Sequence, residues 1–171
     1  MQRVYLDNNA TTMVDPEVFE EMKPFFCDKY GNPNSLHGFG SETPPALRVA
    51  MDRLYAGLGA ADADDIVITS CATESNNWVL KGIYYDKILT GEKDNIVISS
   101  VEHPAISATC AFLEKICGVK ITRLGVDKDG LIDLDELSEK INNKTALVSV
   151  MWANNETGTI SPVKQIARIA H

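Results

Sequence analysis

Four short apolar runs punctuate the second part of the chain, at positions 66–70, 96–99, 119–124 and 146–151. They are rich in β-branched residues and mostly continuous rather than alternating. That is the pattern of strands covered on both faces, as in a parallel sheet. Between them the apolar spacing changes to helical. Thr73 stands where it can cap a helix that carries Leu80, Ile83, Tyr84 and Ile88 on one stripe, with Gly91 as its stop. Pro104 suits a first helical position, which places His103 at the cap of a helix bearing Ile106, Cys110, Leu113 and Cys117 before Gly118. Asp133 and Glu136 have capping-box spacing ahead of Leu134, Leu137 and Ile141, and Ser161–Pro162 opens a last helix with Val163, Ile166 and Ala170. Strands and helices alternating in this way predict βαβ units and an α/β fold: a mainly parallel sheet of four strands with helices on both faces.

The first part reads differently. Asp15–Pro16 opens a helix with Val18, Phe19 and Met22, which Pro24 should end or kink. Positions 30–40 form a Gly/Asn/Pro/Ser loop, and a helix over 45–58 turns Leu47, Ala50, Met51 and Leu54 toward a core. The organisation expected is a helical N-terminal segment with a loop over 1–60, then an incomplete sheet domain over 61–171. The chain ends on Ile169, Ala170 and His171, inside a periodic helix without a stop signal, so a longer fold is expected to continue from it.

Composition narrows the classes. The 171 residues are 44% hydrophobic and 23% charged, an ordinary globular balance. The net charge of -8 disfavours nucleic acid as a partner. The longest mostly apolar stretch, 145–153, is far short of the ~20 residues that span a bilayer. No apolar signal region follows the N-terminus, so a cytoplasmic, reducing setting is expected. The four cysteines, Cys27, Cys71, Cys110 and Cys117, match no metal spacing. Cys110 and Cys117 share a helix face and read as small core hydrophobes. Asp62, Asp64 and Asp65 read as a solvated acidic turn.

Three polar clusters fall where the predicted strands end, the edge at which open α/β sheets gather ligands. The first spans 70–77. Helix-start amides and the Thr73 hydroxyl there suit an anion such as a phosphate, although a capped helix needs no ligand. The second spans 99–104 and contains His103, which can serve a ligand or simply cap a helix. The third spans 151–158, where Asn154, Asn155 and Glu156 follow an apolar strand. They are costly to bury unless partnered, and turn hydrogen bonds are the plain alternative. Three such clusters at one edge point to a shared pocket.

Taken together, five motifs resemble the NifS/IscS-type cysteine desulfurases of the class V aminotransferase group. They are Tyr5-Leu6-Asp7-Asn8-Asn9-Ala10-Thr11-Thr12; Gly31-Asn32-Pro33 with Ser35 and His37; Ala72-Thr73-Glu74-Ser75-Asn76; Glu102-His103; and Asn154-Asn155-Glu156-Thr157-Gly158. The resemblance covers nearly the whole chain. It implies the three-layer large domain of fold type I enzymes, truncated here, and pyridoxal 5'-phosphate (PLP) as cofactor. It further implies L-cysteine as substrate, delivery of sulfur to an iron–sulfur scaffold protein, and a homodimer. By the same resemblance, Ala72 and Thr73 hold the cofactor phosphate. His103 stacks on the pyridine ring and moves protons, and Asn155 bonds the ring hydroxyl oxygen. These tasks suit a group that acts as an electron sink.

Two departures stand beside the match. Cys71 occupies a position where many relatives carry Gly, yet a thiolate beside a phosphate is disfavoured, so Cys71 is not expected to carry sulfur. The lysine that attaches the cofactor in the family, and its persulfide cysteine, have no counterpart here; Lys164, the last lysine, does not match in context. The chain alone is therefore expected to be inactive. Rival readings are a selenocysteine lyase or another class V enzyme, and a non-catalytic interaction fragment.

Overall fold

The structure, a computed structural model, describes residues 3–61 and 65–171. Asp62 and Asp64 of the expected acidic turn lie outside the described residues, while Asp65 is exposed. The chain divides into two compact units, one up to Ile68 and the other Thr69–His171.

The first unit is helical. Asp15 accepts the Glu17 N–H at 2.8 Å and starts α1 (Pro16–Met22) with Pro16 in its first turn. Pro24 has no N–H to continue that helix, and α2 (Pro24–Cys27) begins with it. The loop over 30–40 closes tightly before and into α3 (Gly38–Ser41): a Cβ on Gly31 would sit 2.0 Å from the Phe39 carbonyl oxygen, so only glycine fits. α4 (Pro44–Leu58) ends on Gly59 at φ +65°. The expected core stripe of α4 is not realised within this unit. Leu47 is 50% exposed, and among the unit's described residues only Gly40 and Thr43 are buried. Helices without a sheet in their own unit present each other too little opposing surface to bury an amphipathic stripe.

The second unit carries α5 (Ala72–Ile83), β1 (Asn95–Ser99), α6 (Pro104–Cys117), β2 (Lys120–Leu124), α7 (Leu134–Lys140), β3 (Thr145–Ser149) and α8 (Val163–Ala170). The sheet is parallel with order β2-β1-β3. β1, the central strand, is buried throughout, which is why Ile96, Val97 and Ile98 form a continuous apolar run between Asn95 and Ser99. Its alternate residues feed two cores. Ile96 and Ile98 meet Leu80 of α5 and Ile106, Cys110 and Leu113 of α6. Val97 meets Leu124, Ile132, Leu137 of α7 and Ile166 of α8. Helices therefore cover both faces, and the three-layer α/β expectation holds with three strands.

The fourth predicted strand, over 66–70, does not form. Val67 and Ile68 are 57% and 66% exposed, and the segment pairs with no strand among the described residues. β-branched residues favour extended backbone, but a strand exists only with a neighbour to take its N–H and C=O groups. The start of α5 also differs: Cys71, in extended conformation, is the N-cap and Thr73 lies within the first turn. Beyond Ile83 the helix widens into a π-helical turn over Tyr84–Ile88, where the Leu89 N–H reaches the Tyr84 carbonyl at 2.8 Å. The stops at Gly91 and Gly118 hold, both at positive φ. Among the described residues no helix is long and apolar enough to cross a membrane.

Candidate cofactor site at the strand ends

The first turn of α5 places Ala72 and Thr73, both exposed. The Glu74 and Ser75 amides return to the Cys71 carbonyl at 3.1 and 3.2 Å, so the amides of Ala72 and Thr73 stand outside the helical ladder. With the Thr73 hydroxyl they form a donor set suited to an oxyanion at a positive helix end. Glu74 is already occupied: one carboxylate oxygen takes both the Ser70 N–H at 2.7 Å and the Ser70 hydroxyl at 2.6 Å, which holds its carboxyl below the usual carboxylate range. The Glu74 amide, then the Ser70 hydroxyl, lower the exposed Cys71 thiol from its ordinary value. These bonds stabilise negative charge on the Cys71 sulfur. A phosphate bound beside it would oppose that charge.

β1 ends at Ser99 and the chain turns through 100–102 into α6. His103 is the N-cap of that helix, and its Nδ1 accepts the Ala105 N–H at 3.1 Å. The helix thereby fixes the ring's orientation, and the neutral ring carries its proton on Nε2. Histidine is an unusual cap, and here the cap is also what makes it a rigid, exposed ring at a strand end.

β3 ends at Ser149, and a turn over 154–158 follows. Asn154 organises it: its Oδ1 accepts the N–H groups of Glu156 and Thr157 at 2.8 and 3.0 Å, and its backbone N–H and C=O pair with Thr159 and Gly158. Gly158, at φ +76°, closes the turn. Asn155 sits exposed on it, with Nδ2 3.1 Å from the Glu156 carboxylate. The plain alternative for this cluster, turn hydrogen bonds, is therefore true of Asn154, and it is what presents Asn155.

Two side chains of these clusters, Glu102 and Asn154, join the elements through bonds that spacing did not predict. Glu102 accepts the Ser99 hydroxyl at 2.8 Å, the Ser149 hydroxyl at 3.3 Å and the Met151 N–H at 2.7 Å. In the other direction, Asn154 Nδ2 donates to the Val101 carbonyl at 3.3 Å. The structure thus brings the His103 and Asn155 segments together at the carboxyl ends of β1 and β3. Ala72 and Thr73 arrive on α5, which shares a core with α6 through Leu80, Ile106 and Leu113. The available sequence signal was a serine closing each of two apolar strands with a carboxylate three residues after the first. The large groove of ≈ 1120 Å³ elsewhere, along α1 and α4, is lined by none of these residues.

A layered parallel sheet with a histidine and an amide turn beyond two of its strand ends has polar groups where open α/β domains gather ligands. Residues 4–171 match the aminotransferase class-V family, and the chain belongs to that family. A curated cysteine desulfurase from Gluconacetobacter diazotrophicus is 46% identical over 171 residues, all of this chain and 42% of that protein. A solved NifS-like protein superposes with a TM-score of 0.92 at 43% identity, over 99% of this chain and 45% of the other. A second solved structure, SspA in complex with cysteine, gives 0.88 at 36% identity, over 97% and 47%. The chain spans less than half the length of these relatives.

Proposed function

We propose that this chain is the N-terminal part of a PLP-dependent cysteine desulfurase. In the reaction L-cysteine gives its sulfur to a cysteine thiol of the enzyme, leaving L-alanine and a persulfide that feeds iron–sulfur cluster assembly. The observation that carries this reading is His103, a ring locked by Ala105 at the end of the central strand, beside an amide turn built by Asn154. The relatives' names point the same way, and SspA is described in complex with cysteine.

The donor set fits PLP: the Ala72 and Thr73 amides and the Thr73 hydroxyl take a phosphate, His103 offers a planar face to a pyridine ring, and Asn155 offers an amide N–H to a ring oxygen. Bound PLP supplies an electron sink for the charge left when the substrate loses its α-proton. His103 then has two tasks. Its face restrains the ring, and Nε2, free of the cap bond made by Nδ1, exchanges a proton at the reacting edge. Asn155 orients and Thr73 anchors. The cofactor-attaching lysine and persulfide cysteine are expected outside these residues. The 171-residue chain by itself is therefore expected to release no alanine. A cytoplasmic homodimer passing sulfur to a scaffold protein completes the proposal.

The test is alanine release from L-cysteine by the full-length protein, alongside PLP content. His103→Ala should lower the alanine rate by ~100-fold or more and weaken cofactor retention. Unchanged rate and occupancy would remove His103 from the site. Turnover of selenocysteine but not cysteine would favour a selenocysteine lyase.

A further inference from the structure

Pairing between β1 and β3 stops at Ile98–Ser149, one residue before the β1–β2 ladder, which runs on to Ser99–Leu124 and the Ser100 N–H bond to the Leu124 carbonyl. The departing β3 chain is left with the Met151 N–H beyond the last ladder pair. The Glu102 carboxylate takes that N–H at 2.7 Å and also holds a serine hydroxyl from each strand end. A carboxylate that accepts from three donors is a strong, directional tie. The Asn154 Nδ2 bond to the Val101 carbonyl runs back across the same gap. His103 is the next residue after Glu102, and Asn155 the next after Asn154.

We propose that Glu102, assisted by Asn154, is a positioning residue: it replaces the missing ladder bond between β1 and β3 and so fixes the spacing of His103 and Asn155 about one bound ring. The role rests on the PLP reading above, but the clamp itself is independent of it. Loss of the Glu102 carboxylate frees the 151–158 segment, not the strands.

The experiment uses the full-length protein with Glu102→Ala and Glu102→Gln. Amide hydrogen exchange without cofactor should show Met151, Glu156 and Thr157 exchanging about tenfold faster or more in Glu102→Ala. The β2 amides should be unchanged. Glu102→Gln, which keeps an oxygen acceptor, should recover part of the protection. With PLP added, Glu102→Ala should bind it about tenfold more weakly and change its visible circular dichroism, again with partial recovery in Glu102→Gln. Unaltered exchange at Met151, or β2 amides accelerating in step with it, would overturn the clamp. Raised exchange with unaltered binding and dichroism would overturn the positioning role. Failure of the unsubstituted protein to bind PLP would sink the functional reading and the positioning role with it, while the exchange data would still decide the clamp.

Discussion

The two units of this chain have similar apolar content in their helices but opposite fates for it. In Thr69–His171, β1 is buried along its length and Leu80, Leu113, Leu124 and Leu137 are almost wholly excluded from solvent. In the unit up to Ile68, Phe19, Phe26, Leu47 and Leu58 remain substantially exposed and α4 buries no residue completely. The difference is not one of helix quality. α1 and α4 are capped or terminated as well as α6 and α7 are. It is one of opposing surface within the unit: a sheet gives each flanking helix a broad apolar plane, whereas helices alone give each other only stripes. Amphipathicity states that a face wants cover, and a layer decides whether it finds it within the unit.

The strongest test of this contrast is a matched pair of truncations. Leu113→Ala, in the tight core between α6 and β1, should cost about 2–5 kcal/mol in urea unfolding. Leu47→Ala, half-exposed on α4, should cost about 1 kcal/mol or less. Equal losses would mean that the first unit is packed as tightly as the second.

Cysteine labelling sharpens the comparison. Burial pushes the Cys110 thiol up to about 11, whereas Cys71 is exposed and lowered by the Glu74 amide. Near neutral pH an alkylating reagent should modify Cys71 more than ~100-fold faster than Cys110, which reacts only on unfolding. Peptide mass spectrometry after timed labelling reads both rates. Labelling of Cys110 in step with Cys71 would break the picture of a closed core.

Caps should matter less and more evenly. Asp133 accepts the Asp135 and Glu136 N–H groups at the start of α7, and its replacement by Ala should lower stability by about 1 kcal/mol by the same unfolding measurement. Asp15, with one such bond at α1, should show less.

The smallest expected effect is electrostatic. The Arg123 guanidinium, bonded at 2.8 Å, holds the Glu114 carboxyl below its ordinary value. A depressed carboxylate contributes stability that is present above its unfolded pKa of about 4.5 and is lost as pH falls through the lower folded value. Both side chains are more than a third exposed, so solvent screening reduces the contribution. Glu114→Gln should slightly flatten the fall of the urea midpoint on the acid side, and a steeper fall would contradict the sign.

By itself the sequence determined much of what depends on neighbours a few positions away, although Cys71 rather than Thr73 caps α5. The continuous run through β1, the Pro104 start of α6 with His103 as its cap, the Asp133 cap and the glycine stops are local consequences of side-chain shape and hydrogen-bonding capacity. The polar clusters after β1 and β3 were legible for the same reason, because they follow apolar runs. What only the tertiary structure decided is whatever needs a distant partner. Among the described residues, 66–70 have strand chemistry but pair with no strand, and α4 has a stripe that its own unit does not bury. The Glu102 tie across β1 and β3 joins residues about fifty positions apart, 2.7 Å from Met151, and no local spacing encodes that meeting. Pairing and burial are properties of two surfaces, and a linear pattern describes only one of them.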